Sequence, residues 1–206
     1  MCKINFEVKT VEDRSDADPF IIDIHYAHRK PSISYMFGMY DKDELIGVVT
    51  YGTPPSKALL KGIAGEEFMD KVIELNRLVL KHNRKNEASY LIGKSFKLLP
   101  RPKVIVSYAD TSQEHVGKVY QATNFIYTGL SAKRSDWRMF GSDMHSYTIC
   151  QKWDAEHRNA NPDKFYKIDR PRKHRYLYFL GDKKEKKTFL NALKYPVEDY
   201  PKENNG

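Results

Sequence analysis

The sequence predicts an α/β fold: a mixed, mostly antiparallel sheet with a central parallel strand pair and flanking helices, in a single domain. Three observations carry this expectation. Leu75, Leu78, Val79 and Leu80 make a short apolar run, and Val104, Ile105 and Val106 make a second, β-branched one. Between them Tyr90, Leu91, Phe96, Leu98 and Leu99 recur at three- and four-residue steps, the spacing of a helix face. Two neighbouring strands joined by a crossover helix are parallel and connected with a right-handed twist.

Taken in order, residues 3–10 alternate (Ile4, Phe6, Val8) and read as a strand. Residues 11–18 are acidic and polar, a loop or short helix. The apolar run 20–24 reads as strand-like and ends at His25 and Tyr26. Residues 34–40 and 45–51 flank the turn Asp41-Lys42-Asp43-Glu44 and predict a β-hairpin. Gly52-Thr53-Pro54-Pro55-Ser56 breaks the chain, and a helix interrupted at Gly62 and Gly65 follows over 59–73. Strands are expected over 74–80 and 103–109, with a helix starting near Asn86 between them. Residues 115–124 show helical spacing, and Phe125-Ile126-Tyr127 exits as a strand. Beyond Gly129, residues 131–142 are polar with Trp137 embedded, 144–151 are strand-like, and 153–163 form a loop or surface helix. Residues 173–180 make a basic, aromatic strand, and 182–193 a short helix. The expected division is a catalytic domain over 1–150 and a basic C-terminal extension over 151–206, packed on the same domain.

Composition narrows the function. Of the 206 residues, 40% are hydrophobic and 30% charged, as in a folded globular chain. No run approaches the roughly 18 apolar residues of a membrane span, and the N-terminus has no secretion signal. Cys2 and Cys150 have no ligand spacing, which favours a reducing cytoplasm. The net charge of +8 is unevenly placed. Residues 1–130 hold 18 Lys/Arg against 16 Asp/Glu, whereas 131–195 hold 16 against 8. A basic region with interleaved aromatics suits a polyanion, because Lys and Arg neutralise phosphates and release counterions; the other reading is a merely soluble basic surface.

The order of elements matches an acyltransferase-type α/β fold. In such folds the loop between the first parallel strand and its helix cradles a cofactor phosphate on backbone amides. Here that loop is residues 81–89, and it lacks the glycine spacing of acetyl-CoA users. Its amides with Arg84 or Lys85 can still hold an anion; a plain cationic loop before a helix capped by Asn86 reads equally well.

Ligands of open α/β sheets sit beyond the carboxyl ends of the strands. Those ends carry Arg84, Asn86, Ser89, Tyr108 and Asp110; Ser107 and Tyr108 either line a pocket or are ordinary strand residues. Asp110 is the candidate general base; its other reading is an N-cap for the segment from Ser112. His25 and Tyr26 end an apolar run and read either as site or as ordinary packing residues. Tyr120 either shares the cleft of Asp110 or simply packs, and His115, five residues past Asp110, either joins that cleft or takes a capping-turn role. Arg77 interrupts an apolar strand and needs a partner, either an anion or a carboxylate such as Glu74. Trp137 with Arg134 and Arg138 is either a polyanion-contacting loop or a buried anchor.

GVVTYG (47–52), ELNRL (74–78), NEAS (86–89), SYAD (107–110) and GKVYQATNFIYTG (117–129) together resemble the phage Mom DNA-modification proteins. The pair His25-Tyr26 with Arg29 and Pro31 is similar too, and more faintly HRY (174–176) and DYPK (199–202). The likeness runs mainly over residues 20–130, and its specificity lies in the order and spacing of the segments. The resemblance implies a divergent GNAT-like acyltransferase fold. It also implies adenine in double-stranded DNA as substrate, in the cytoplasm of a bacterial host. It implies conversion of the N6 amine to a methylcarbamoyl-type form that protects against restriction. It further implies bound iron, with His25, Tyr26, Asp110 and Tyr120 at the ligand positions. The loop at 81–89 argues against acetyl-CoA, and the donor is not named by the chain.

An adenine amine lies inside the base stack, so an enzyme acting on it must take the base out. Tyr26, Tyr35, Tyr108, Tyr120 and Phe125 are the expected pocket aromatics, and Arg77, Asn86 and Ser89 further substrate contacts. Arg134, Arg138, Lys173 and Arg175 are the expected phosphate grips. Ser107, Tyr108, Asp110 and Tyr120 are the expected catalytic groups. Two other functions compete: a GNAT-type N-acetyltransferase acting on a small amine or protein, and a nucleic-acid binder without chemistry. The first predicts a glycine-patterned phosphate loop, the second no polar cluster at the strand ends.

Overall fold

The computed structural model describes residues 6–202; Cys2 and the first part of the strand expected over 3–10 lie outside them. The strands are β1 (Glu7–Thr10), β2 (Tyr35–Asp41), β3 (Glu44–Gly52), β4 (Val72–Leu80), β5 (Lys103–Asp110), β6 (Ile126–Leu130), β7 (Ser135–Met139), β8 (Phe165–Asp169) and β9 (Lys173–Leu180). Seven of them form one sheet in the order β1-β2-β3-β4-β5-β9-β6, and β7 and β8 form a separate ribbon. The helices are α1 (Lys57–Ala64), α2 (Glu87–Leu98), α3 (Lys118–Ala122), α4 (Ser146–Lys152), α5 (Ala155–Ala160) and α6 (Lys183–Ala192).

The expected parallel pair is present. β4 and β5 run parallel, with α2 as the crossover, but they pair only where Val72, Ile73 and Glu74 meet Val104, Ile105 and Val106. Past Glu74 the strands diverge, with the Ser107 hydroxyl donating to the Leu75 carbonyl at 2.9 Å as a last tie. Every other pairing in the sheet is antiparallel.

Both faces of the sheet are covered. Because successive side chains of a strand point to opposite faces, the run Val104-Ile105-Val106 feeds two cores. Ile105 packs with Leu91, Ile92 and Phe96 of α2, whereas Val104 and Val106 pack with Leu60 and Ile63 of α1 and Phe189 of α6. Each large apolar side chain fully buried in this way contributes about 1.5–3 kcal/mol. Tyr51, fully buried beneath α2, satisfies its hydroxyl on Ser95 at 2.6 Å. α1 stops at Gly65, whose φ of 92° favours glycine, while Gly62 is carried inside the helix. A turn over Glu66–Lys71 then leads into β4.

Several expectations are corrected. The run 20–24 is a wide, π-type helical turn over Pro19–Ile24, not a strand. Pro19 presets its first φ, and Phe20 and Ile21 are both buried beside Ala17, which adjacent residues on a strand do not achieve. Residues 144–151, strand-like by composition, form α4. The His145 ring nitrogen caps it by accepting from the Tyr147 amide at 3.2 Å, and Ile149 is buried beneath it. The polar stretch 131–142 contains β7, and β8 was not expected at all. β9, counted by sequence with the extension, lies between β5 and β6 and pairs with β5 from Lys103↔Leu180 to Asp110↔Lys173. The boundary at 150 therefore does not separate the sheet.

Candidate active site

The divergence of β4 and β5 opens a cleft of about 1320 Å³. Its walls are the outer half of β4, Tyr108 and Ala109 of β5, the segment at 24–29, the turn at 113–120 and the chain at 130–134 and 170–175. Gly117 opens α3 in this wall with φ 76°, and a Cβ there would meet the Tyr176 ring at 2.4 Å. The turn can approach β9 this closely only because that residue is glycine.

Glu74 sits where the strands part. Its carboxyl is raised by burial, against the opposing pull of Lys173, Arg77 and Arg29. It makes no hydrogen bond or ion pair among the described residues. This residue was read from sequence only as a partner for Arg77; the signal for it was a lone carboxylate inside an apolar strand. Arg77 is buried and donates to the carbonyls of Asn76 (2.6 Å) and Arg29 (2.9 Å), so it pins the 25–29 segment to β4. Its Nε has no hydrogen-bond partner.

His25 stacks on Tyr26 with ring centroids 4.5 Å apart, and Tyr26 meets His115 edge-on at 6.4 Å. Burial first, then the charges of Arg77 and its neighbours, lowers His25 to about 4, so the ring is neutral at neutral pH. Its Nδ1 accepts from the Ala27 amide at 3.1 Å, which leaves the proton on Nε2. Tyr120 is buried; burial pushes its phenol up to about 12, against the pull of the Ser107 hydroxyl. Tyr26 and Glu74 act on the same phenol, so they share its surroundings. Tyr108 lines the cleft, and its phenol is also raised by burial and by Glu74.

His25, Tyr26, Arg77, Tyr108 and Tyr120, all predicted from sequence, thus meet at the cleft with the carboxylate of Glu74. Asp110 takes the alternative reading. One of its oxygens caps the following turn, accepting from the Ser112 amide (3.0 Å) and hydroxyl (2.7 Å), and the other accepts from Lys173 at 2.7 Å. Burial raises its carboxyl, but the bonds from Lys173 and Ser112 outweigh this and hold it below its ordinary range. Arg175 is committed to structure: it donates to Thr128 Oγ1 (2.9 Å) and the Thr128 carbonyl (2.8 Å), and its guanidinium lies 3.4 Å over the Tyr195 ring. Arg134 and Lys173 border the cleft, and Arg170 joins them. Arg138 lies on the β7–β8 ribbon. Asn86 and Ser89 do not reach the cleft; they line a separate groove of about 560 Å³ beside α2. Asn86 opens α2 in a left-handed conformation (φ 69°) without a side-chain cap, and the Ser89 hydroxyl donates to its carbonyl. Trp137 is an anchor, held between Arg158 (5.0 Å) and Lys167 (4.7 Å). Of the other expected pocket aromatics, Tyr35 and Phe125 pack in the core.

Two groups implied by fold or resemblance do not fit these residues. A pyrophosphate cofactor would rest on the N-terminus of α2, yet that position holds the buried carboxylate of Glu87, which accepts from the Arg84 amide at 2.8 Å. A second anion there meets like charge, and the glycine-free loop brings no compensating cradle. For iron, both Asp110 oxygens and His25 Nδ1 are already engaged, and the Lys173 ammonium occupies the cation's place beside Asp110.

The strand order, the antiparallel first half and the splayed parallel pair define the class: a GNAT-like acyltransferase fold. Within that class the chain belongs to the Mom protein family, whose family model matches residues 5–202. It is 26% identical over 191 residues to the methylcarbamoylase Mom of Escherichia phage Mu, covering 86% of this chain and 76% of that protein. Solved structures with a similar path include an N-acetyltransferase from Staphylococcus aureus Mu50, at 15% identity and TM-score 0.49, covering 85% of this chain and 99% of that one. Another is the ribosomal-protein-S18-alanine N-acetyltransferase of Escherichia coli, at 8% identity and TM-score 0.48, covering 86% and 96%. Among the described residues no helix is long and apolar enough to cross a membrane.

Proposed function

We propose that this protein is a phage or prophage enzyme that transfers a methylcarbamoyl-type group to the N6 amine of adenine in double-stranded DNA, and so shields the DNA from restriction. The observation that carries the reading is Glu74: a carboxylate with no bonding partner among the described residues, raised by burial, at the point where the strands open into an aromatic, cation-rimmed cleft. Membership of the Mom family and the likeness to a methylcarbamoylase support the transferred group in this reading.

The adenine amine is a poor nucleophile because its lone pair is delocalised into the ring, so the reaction needs a base. In this reading the duplex rests on Arg134, Arg170 and Lys173, and the everted base enters among Tyr26, His115 and Tyr108. Glu74 takes a proton from N6 as the nitrogen attacks the donor's carbonyl carbon. The new C–N bond forms, and the bond to the leaving group breaks with its electron pair. Glu74 then hands the proton to the leaving group. The Tyr120 phenol, protonated at neutral pH, donates to the developing oxyanion. The neutral His25 ring holds Tyr26 in place by stacking. No step passes through coenzyme A or iron.

The test is mass spectrometry of nucleosides from DNA of cells expressing the protein. A modified deoxyadenosine is expected. Unmodified adenine in cells that contain the folded protein overturns the reading.

A further inference from the structure

The ribbon of β7 and β8 has two unlike faces. Trp137, Met139 and their partners Lys167 and Phe165 lie on one face, as the register dictates. That face is covered: Trp137 packs under Arg158 of α5, and Phe165 packs on Trp153 at 5.1 Å. The ribbon is also held by the Trp137 amide, which donates to Ser146 Oγ of α4 at 3.0 Å. The opposite face pairs Arg138 with Tyr166 and Asp136 with Ile168. It is open and carries three exposed apolar side chains: Phe140, just past the end of β7, is 58% exposed, Ile168 46% and Tyr166 37%. Phe140 and Tyr166 stack on each other at 4.5 Å. Single exposed apolar residues are ordinary on a protein surface, but three on one face of a rigid ribbon are not explained by packing.

Position and charge say what covers this face. The ribbon starts at the cleft rim, where the Arg170 amide donates to the Arg134 carbonyl at 2.8 Å and both residues line the cleft. From there five residue pairs carry it outward by roughly 16 Å. The segments that carry it, 133–138 and 164–172, hold seven Lys/Arg against two Asp, and Asp136 on the open face is paired with Arg170 at 3.5 Å. A two-stranded ribbon is narrow enough for a DNA groove.

Resting on the DNA reading above, we propose that the open face of the β7–β8 ribbon is the duplex-binding surface. It lies along the groove next to the base drawn into the cleft. Arg138 meets a backbone phosphate, and the Phe140–Tyr166 stack, at the end of the ribbon away from the cleft, wedges against a base step roughly five base pairs from the everted adenine.

The test compares the full chain with two variants, Phe140→Ser/Tyr166→Ser and Arg138→Glu. It uses duplex affinity across a salt series, size-exclusion chromatography, thermal melting and nucleoside mass spectrometry. The changed side chains are on the open face, so melting temperature is expected to hold. The ring variant is expected to bind duplex at least about tenfold more weakly with an unchanged salt slope, since the lost contact is stacking. Arg138→Glu is expected to reduce the salt slope by about one or more. If the ring variant does not fold, Arg138→Glu decides alone. Unchanged affinity in both variants while the wild type modifies adenine overturns the ribbon and leaves the function standing. A change in oligomeric state without a change in duplex affinity also overturns it, because the face then joins two copies of the chain. A wild type that neither binds duplex nor modifies adenine removes both readings.

Discussion

Replacing Glu74 with Gln separates catalysis from stability, because the two move in different directions. The side chain keeps its shape and loses its charge. In the fold the carboxyl is raised above its ordinary 4.5 by burial, only partly countered by Lys173, Arg77 and Arg29. The charged form therefore costs the native state free energy at neutral pH, and each unit of such a shift is about 1.4 kcal/mol. Removing the charge is expected to leave the melting temperature unchanged or to raise it. A carboxyl raised in the native state contributes stability that is fully present below 4.5 and is lost as pH rises through its native value. Glu74→Gln should lack that loss. Catalysis should fall by about 10²–10⁴, the usual worth of a general base, or roughly 3–5 kcal/mol of barrier. The assay pairs thermal melting over pH with the rate of deoxyadenosine modification by mass spectrometry. In the wild type the acid limb of the rate profile should lie above 4.5. A Gln variant that modifies DNA within about threefold of the wild type refutes Glu74 as the base.

Three further outcomes follow from the same geometry. His25 is lowered to about 4 in the fold from an ordinary 6.5, so the unfolded chain binds a proton in this window that the native state refuses. Stability should fall as pH drops from 6.5 toward 4, by at most about 3 kcal/mol and by less for a ring only half-buried, and His25→Gln should flatten that slope in pH-dependent melting. Asp110→Asn keeps a competent cap and loses only the Lys173 pair, so it is expected to cost on the order of 1 kcal/mol and to retain modification; loss of modification at unchanged stability would return Asp110 to the catalytic set. Arg175→Ala should cost on the order of 2–3 kcal/mol in denaturant unfolding, because Thr128 loses its buried partner, while the salt slope of DNA binding stays as it was.

Much of the fold was legible because it is encoded locally. The hairpin of β2 and β3, the parallel pair of β4 and β5, and α2 between them follow from alternation, a β-branched run and helical spacing within short windows. Chain segments whose neighbours are remote were misread. The apolar run at 20–24 looks like a strand, but Pro19 and the pocket formed by Ala17 and Met36 close it into a wide turn. β8 is too short and too charged to declare itself, and it exists because β7 pairs with it. The final strand, β9, gives no sign in sequence of lying in the middle of the sheet.

The site divides in the same way. By itself the sequence determined which chemistry is present: histidine and tyrosines at the ends of apolar runs, and arginines and lysines concentrated after residue 130. Only the tertiary structure decided their roles. Asp110 and Arg175 look free in sequence, but each is claimed by a partner from another strand or a following turn. Glu74 looks like half of an ion pair, yet Arg77 turns to the carbonyls of Asn76 and Arg29 and leaves it with no bonding partner among the described residues. The physical reason is that residue type sets what a side chain can do, whereas burial and the competition for hydrogen bonds set what it is free to do. Both are fixed by neighbours distant in the chain.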